Sequence, residues 1–272
     1  MPRPILDDAL WKLVEPLLPK MKRRRRVHPG RKPITHRQAL TGILFVLRTG
    51  IPWAALPLEM GCGLGGELLA APGGMAASWR LDAGAWDAAH PAAGDRANRV
   101  VAYDCGQLFG ACHARGKKTG PNPTDRRKAG NKHRLISDAR GIPLAATLTP
   151  ANAHDITQLV PLIIAIPPVA GKRGRPRQRP DSVQGDRAYD SAAHRRTLRA
   201  LGITPILAKR RTGHGSGLGK TRWVIERSLA WLHQFRRLKM RYERLHFVHE
   251  AFLTIACSLI CWNFLKPVTN SF

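Results

Sequence analysis

The C-terminal part of the chain alternates strand-like and helix-like segments, and this order restricts the fold more than any other feature. Residues 133–137 and 143–149 have the alternation of a strand pair, joined by a turn at 138–141. The later segments predict helices at 155–166, 190–201, 218–238 and 249–265, and strands just before Asp186 and at 203–208. Strands mixed with helices in this order predict an α/β domain, with a mixed sheet flanked by helices.

The N-terminal region predicts a small helical domain. Apolar residues recur at helical spacing over 6–18, with Asp7 as N-cap, and again over 35–48. The segment between these helices carries a basic run at Arg23, Arg24, Arg25 and Arg26. Such a run is either a solvated loop or an arm that grips phosphates, and the charge of the whole chain favours the arm.

The charge of the chain indicates a polyanionic partner. Lys and Arg number 45 against 18 Asp and Glu, which gives a formal net charge of +27. Each phosphate contact releases counterions, so such a protein gains affinity for nucleic acid of any sequence. Ribosomal and membrane-surface proteins can be equally basic. A second basic stretch, rich in proline, contains Lys172, Arg173 and Arg175.

The cysteines and the apolar runs exclude several other classes. The five cysteines form no CxxC pair, which argues against a zinc site or a disulfide framework and fits a reduced, cytosolic chain. The N-terminal apolar run contains charges, so we expect no signal peptide. We find no run of the roughly 18 apolar residues that span a membrane, and we expect the run 252–265 to be a core helix.

Two acids occupy positions suited to chemistry. Asp186 ends a predicted strand, where α/β sheets usually hold ligand-binding groups, although it could also cap the next turn. Glu226 lies inside a predicted helix and shares a face with Arg222, Leu229, His233 and Arg237, whereas Trp223 and Trp231 turn towards the core. Spacing alone favours an ordinary surface pair between Arg222 and Glu226.

Longer stretches resemble the bacterial DDE transposases of insertion-sequence family five (the IS4/IS5 type). The matching text is KKTGPNPTDRR from Lys117, DRxYDS from Asp186, RWxIERSxAWL from Arg222 and GILFVLRTGIPW from Gly42. Together with the surrounding residues, the resemblance covers about four-fifths of the chain.

This resemblance implies a ribonuclease-H-like fold in which two Asp and one Glu hold two Mg²⁺ ions for strand cleavage and transfer. Asp186 matches the second acid and Glu226 the third, so both are expected metal ligands and catalytic residues. Arg222 would orient the glutamate or contact phosphate. We also expect DNA contacts from Arg227, Lys117, Lys118 and the two basic stretches.

The expected partners are double-stranded DNA, both as terminal inverted repeats and as target, and further copies of the chain. We expect no membrane partner, and a bacterial cytoplasmic, nucleoid-associated location.

The first acid of the family is missing from its expected position. The family has an Asp there, followed by small polar residues and Val-Arg-Ala, shortly before Lys117. Asp104 ends a strand-like stretch, but it lies about two residues too early and lacks the following pattern. It could substitute for the missing acid if the loop after it slipped in register.

The genetic code suggests why the acid is missing. Codons for Gly106 and Gln107, read one base out of phase, overlap to spell an Asp codon, and the following codons can spell Ser-Ser-Ser-Val-Arg-Ala. Our hypothesis is that residues 63–115 are translated out of frame between two compensating indels. The Ala/Gly-rich composition of this segment is typical of GC-rich DNA translated in the wrong reading frame.

We therefore predict a helical DNA-binding or assembly domain at 1–61, an aberrant segment at 62–116 and the catalytic domain at 117–272. The main function predicted is a DNA transposase impaired by loss of its first Asp. The alternative is an inactive, sequence-specific DNA-binding remnant. An RNA-binding protein is disfavoured, because no aromatic-rich platform is visible in the sequence.

Overall fold

A computed structural model describes residues 4–20, 33–63, 99–101, 109–112, 116–168, 179–211 and 219–269. The helices are α1 (Asp8–Val14), α2 (His36–Thr49), α3 (Leu159–Ile164), α4 (Ala192–Ala200), α5 (Gly219–His233), α6 (Arg236–Lys239) and α7 (His246–Thr269). The strands are β1 (Arg99–Val101), β2 (Phe109–Cys112), β3 (Gly120–Pro121), β4 (Ala129–Asp138), β5 (Pro143–Pro150), β6 (Ser182–Gly185), β7 (Thr204–Leu207) and β8 (Met240–Arg241).

These strands form one mixed sheet in the order β7-β6-β1-β4-β2-β8, with β3 and β5 also paired to β4. The predicted hairpin is confirmed as β4 and β5, which run antiparallel through seven register pairs. Strand β1 lies between β4, to which it is antiparallel, and β6, to which it is parallel. The sheet therefore includes β1 and β2, two strands that come from the segment 62–116.

Helices cover both faces of the sheet. Neighbouring residues of a strand point to opposite faces, so each strand contributes to a core on either side. On β4, Leu135 faces a core formed with α5, α7 and the N-terminal helices, and Ile136 faces a core formed with α3 and α4. This three-layer arrangement confirms the predicted fold class, a mixed α/β sheet flanked by helices.

The N-terminal helices begin where the sequence predicts. The Asp7 carboxylate accepts a hydrogen bond from the backbone N–H of Ala9, and Thr35 forms a capping box with Gln38. Helix α2 ends at Gly50, whose φ is +77°, and a Cβ there would lie 2.9 Å from the Cβ of Arg236. Only glycine allows this close contact between the end of α2 and α6.

The long helix predicted at 218–238 is wrong in its C-terminal part. Helix α5 ends at His233, and Phe235 adopts an extended conformation before α6 begins. The break turns Arg237 into the protein, where it is 3% exposed, so it does not share the face of Glu226. Trp223 also differs from expectation: it is 52% exposed, because Val224, Ile225, Ser228 and Leu229 form the buried side of α5.

Two other predicted helices are shorter than expected. The segment 155–166 begins as a 3₁₀ turn, Asp155–Gln158, and continues as α3. Helix α4 starts after Ser191, but the Ser191 side chain makes no capping hydrogen bond. The carboxylate of Asp190 instead accepts hydrogen bonds from Arg195 and from the backbone N–H of Arg210.

Helix α7 is a core helix, as predicted for its apolar run. Its stretch His246–Phe264 is long and apolar enough to cross a membrane by length and composition, yet 61% of the apolar window is buried inside the protein. A helix that is apolar on all sides is typical of a position enclosed by other elements.

Candidate active site

Asp186 lies at the C-terminal end of β6, as predicted. Its Oδ1 accepts a hydrogen bond of 2.8 Å from the backbone N–H of Ala188, so it also caps the 3₁₀ turn Arg187–Tyr189. Its other carboxylate oxygen, Oδ2, accepts no hydrogen bond from the described part of the chain. Because β1 runs parallel to β6, the chain leaves β1 at Val101 on the same edge of the sheet.

Glu226 lies on the exposed side of α5. This helix is fastened to the turn between β4 and β5, where the Ser228 hydroxyl donates a 2.7 Å hydrogen bond to the carbonyl of Gly141 and Arg227 donates to that of Arg140. The fit is close, since a Cβ on Gly141 (φ +85°) would lie 2.8 Å from the Ser228 hydroxyl.

The two acids are anchored at different edges of the sheet. Strand β4 runs antiparallel to β1, and β6 runs parallel to it, so the turn after β4 lies at the edge opposite to Asp186. Among the described residues, no group of three or more His, Cys, Asp or Glu is arranged to hold a metal ion. Convergence of Asp186 and Glu226 on metal ions stays a prediction, and Asp104 lies outside the described residues.

The predicted DNA-contacting residues are only partly described. Lys117 is exposed, and Lys118 forms an ion pair with Glu250. Arg222 lies within α5. The following predicted contacts fall outside the described residues: Arg23, Arg24, Arg25, Arg26, Lys172, Arg173 and Arg175.

Arg227 lies between two tryptophan rings. Its guanidinium carbon is 4.6 Å from the ring centroid of Trp223 and 4.8 Å from that of Trp231. Stacking of this kind attracts the cation to the ring faces and holds the side chain in place. The spacing of four residues on either side of Arg227 is visible in the sequence, so this ladder could have been predicted.

A buried polar chain was missed by sequence reasoning. His133 Nε2 lies 2.9 Å from His249 Nε2, His249 Nδ1 lies 3.3 Å from Glu243 Oε2, and Arg237 Nε donates to Glu243 Oε1 at 2.7 Å. Arg237 also donates to the carbonyl of Ile51 at 3.0 Å. The chain therefore connects β4, α7 and α6 with the end of the N-terminal helices, although its members are far apart in sequence.

The hydrogen bonds define which nitrogens carry protons in this chain. An ionised Glu243 needs a donor, which is the Nδ1–H of His249. In the neutral tautomer that carries this proton, His249 accepts at Nε2 from the Nε2–H of His133. The remaining nitrogen of His133, Nδ1, is buried and has no hydrogen-bond partner in the described part of the chain. A second proton on His133 would create a buried, unpaired N–H and a buried charge.

Burial, followed by the neighbouring His249 and His233, holds the pKa of His133 well below its ordinary value. Burial raises the pKa of Glu243, but the hydrogen bond from His249 and the charge of Arg237 outweigh it and hold that pKa below its usual value. Both groups therefore bind protons more readily in the unfolded chain than in the folded one.

We expect the protein to lose stability as the pH falls below about 6.5, the ordinary pKa of histidine, because the unfolded chain then takes up the proton that folded His133 refuses. Glu243 adds a further loss at lower pH, as its carboxylate is protonated. Urea unfolding at a series of pH values measures this dependence. His133→Gln keeps a donor towards His249 but cannot titrate, so its profile should be flatter near pH 6. An equally steep profile in that variant would contradict the assignment.

The comparisons with known proteins agree with this architecture. The family described as "Transposase DDE domain" matches residues 98–261, from the start of β1 into α7. The family described as "Putative transposase of IS4/5 family" matches residues 6–64, the N-terminal helices. The DDE family implies a divalent metal and a ribonuclease-H-like fold.

Three relatives are similar to parts of the chain. A putative transposase for insertion sequence element IS402 of Burkholderia cepacia is 62% identical over 57% of this chain and 73% of its own length. An uncharacterized 16.2 kDa protein of the same element is 52% identical over 33% of this chain and 58% of its own length.

The transposase for IS1106 of Neisseria meningitidis serogroup B is 28% identical over 53% of this chain and 49% of its own length. No solved structure matches the chain. The match to the DDE domain over more than half of the sequence decides the family: the chain belongs to the DDE transposases of the IS4/5 group, proteins that act on DNA.

Proposed function

We propose that the protein binds the ends of its insertion sequence and retains only part of the metal site for strand cleavage. The observation that carries this proposal is the position of Asp186 at the end of β6, beside the point where β1 ends. A first acid from the chain after β1 would reach the same edge of the sheet. Ligands at the carboxyl ends of parallel strands are the usual arrangement in α/β proteins.

Among the described residues, the carboxylates expected at this site fit a divalent cation in the chemistry of their oxygens, but they are too few and are anchored at opposite edges of the sheet. The Asp186 carboxylate is oriented by the backbone of Ala188 and keeps an oxygen without a hydrogen bond from the described residues. Carboxylate oxygens are the ligands that Mg²⁺ prefers. Glu226 would supply a second carboxylate, but two carboxylates give fewer shared oxygens than two ions require. We therefore propose impaired catalysis.

When bound, Mg²⁺ supplies Lewis-acid stabilisation of the charge that develops at phosphorus. In this proposal Asp186 holds the metal, and Glu226 joins it only if α5 shifts towards the edge of the sheet that holds Asp186. Arg222 lies one helical turn before Glu226, where it would orient that carboxylate or bind phosphate. Lys117 and the basic stretches bind the DNA backbone. The protein acts in the bacterial cytoplasm on double-stranded DNA, as a homo-oligomer.

The proposal includes an altered reading frame across residues 63–115 as the reason why the first acid is missing. The chain is similar to two separate proteins of one element, IS402, over 57% and 33% of its length. Two coding segments joined with a displaced frame between them would give a chain of this kind. The nucleotide sequence across residues 63–115 tests this directly.

A second function is an inactive DNA-binding remnant, which is favoured by the lack of a three-acid cluster among the described residues. Gel shifts and Mg²⁺-dependent cleavage of DNA carrying the element's ends distinguish the two. Residual cleavage that disappears in Asp186→Ala, but persists in Asp125→Ala, supports an impaired transposase. Asp125 is a suitable control because it is a half-exposed acid paired only with Lys128 in the described structure. Binding without any cleavage supports the remnant.

A further inference from the structure

Residues 242–247, which run from the end of β8 into the first turn of α7, expose a group of large apolar side chains. Tyr242 is 46% exposed, Leu245 is 55% exposed and Phe247 is 37% exposed, all within six consecutive residues. Isolated exposed apolar residues are common, but a concentrated group indicates a surface that meets a partner. We call residues 242–247 the aromatic segment.

Two buried arginines hold the aromatic segment in place. Arg241, which is fully buried, donates to the carbonyl of Glu243 at 2.9 Å, to that of Lys117 at 3.1 Å and to that of Arg244 at 3.3 Å. The guanidinium of Arg237 lies 4.7 Å from the ring centroid of Tyr242. The segment is therefore ordered before any partner binds, which reduces the entropy lost on association.

The surroundings of the aromatic segment are cationic. Lys117, Arg236, Lys239 and Arg244 are exposed on the elements that contact it. The neighbouring acids form ion pairs that offset their negative charge: Glu243 is buried against Arg237, and Glu250 pairs with Lys118. A surface of exposed cations and rings matches a polyanion that also has flat apolar groups.

We propose that the aromatic segment and its cations form a DNA-binding surface, separate from the acids of the candidate active site. Lys117, Lys239 and Arg244 contact phosphates, while Tyr242 and Phe247 pack against sugars or unpaired bases. A contact between two copies of this same surface is disfavoured, because two equally cationic surfaces repel each other. This inference rests on the proposed DNA-binding function and identifies the surface through which the protein binds DNA.

The test measures binding of a labelled mixed-sequence DNA duplex, and of one of its single strands, at several salt concentrations. In Lys239→Ala/Arg244→Ala, affinity falls and the slope of log affinity against log salt decreases by about two, one for each lost phosphate contact. Tyr242→Ala weakens single-strand binding about tenfold, and Tyr242→Phe restores it because the ring is retained.

The matched control is Arg196→Ala/Arg199→Ala, which removes two exposed cations from α4 on the other face of the sheet. We expect this variant to keep the parent salt slope, and circular dichroism verifies that all variants are folded. A parent protein that binds DNA, with an unchanged slope in Lys239→Ala/Arg244→Ala, overturns the surface and leaves the proposed function standing. A parent protein that does not bind DNA overturns both.

Sedimentation analysis tests whether a second copy of the chain, rather than DNA, binds the aromatic segment. If Tyr242→Ala changes the oligomeric state but not the DNA affinity, the aromatic segment is a contact between subunits and the DNA-binding assignment is wrong. If the oligomeric state is unchanged while DNA affinity falls, the assignment is supported.

Discussion

Replacement of Glu243 by alanine is expected to lower the free energy of unfolding by about 3–5 kcal/mol, the range for removing one partner of a buried ion pair. The variant would leave the buried guanidinium of Arg237 without its carboxylate and His249 without an acceptor at Nδ1. Both groups are almost fully withdrawn from water. Urea unfolding, followed by circular dichroism, measures the change from the midpoint and slope.

The matched control for this variant is Asp125→Ala, which breaks a solvent-exposed pair with Lys128. Exposed pairs contribute about 0–1 kcal/mol, so this variant should unfold nearly as the parent does. Glu243→Gln keeps hydrogen-bonding atoms without the charge and should be intermediate. A loss below about 1 kcal/mol in Glu243→Ala would show that the buried chain does not support the fold.

Restoring the shifted frame across residues 63–115 is expected to raise Mg²⁺-dependent cleavage at the element's ends by at least about 100-fold. Even outer-shell partners of metal ligands change activity by about 10–100-fold, and a shared carboxylate ligand should matter more. The restored chain would place an Asp after β1, at the edge of the sheet that holds Asp186. Cleavage of end-labelled DNA by the two purified proteins provides the measurement.

The control for restoration is the restored chain carrying Asp186→Ala. It should lose the gained cleavage and keep DNA binding, because the substitution removes a metal ligand and no cation. The frame hypothesis fails if the shifted frame contains a stop codon or lacks the Asp codon. It fails equally if the restored protein cleaves no faster than the present one.

Local patterns in the sequence were sufficient for elements whose cause is local. The capping residues Asp7 and Thr35 mark real helix starts, and the alternation around residues 138–141 marks a real hairpin. Asp186 was correctly placed at a strand end, since the short strand Ser182–Gly185 ends directly before it. Each of these features depends on residues within a few positions of one another.

Features that depend on distant residues could not be predicted in this way. The break after α5 is understood only when Arg237 is seen to bind Glu243 and the carbonyl of Ile51. The exposure of Trp223 likewise depends on which side of α5 meets the turn after β4. Helical periodicity specifies a helix but not the partner that its faces meet, so these assignments required the tertiary structure.

The N-terminal helices share an apolar core with α5 and α7. Leu44 and Leu47 of α2 belong to the same apolar core as Leu229 of α5 and Phe252 of α7. Exchange of the N-terminal helices between related mobile elements would therefore leave poorly packed apolar contacts inside the recombinant protein. We therefore expect recombinants that inherit α2 and α7 from the same parent to fold more stably than those that do not.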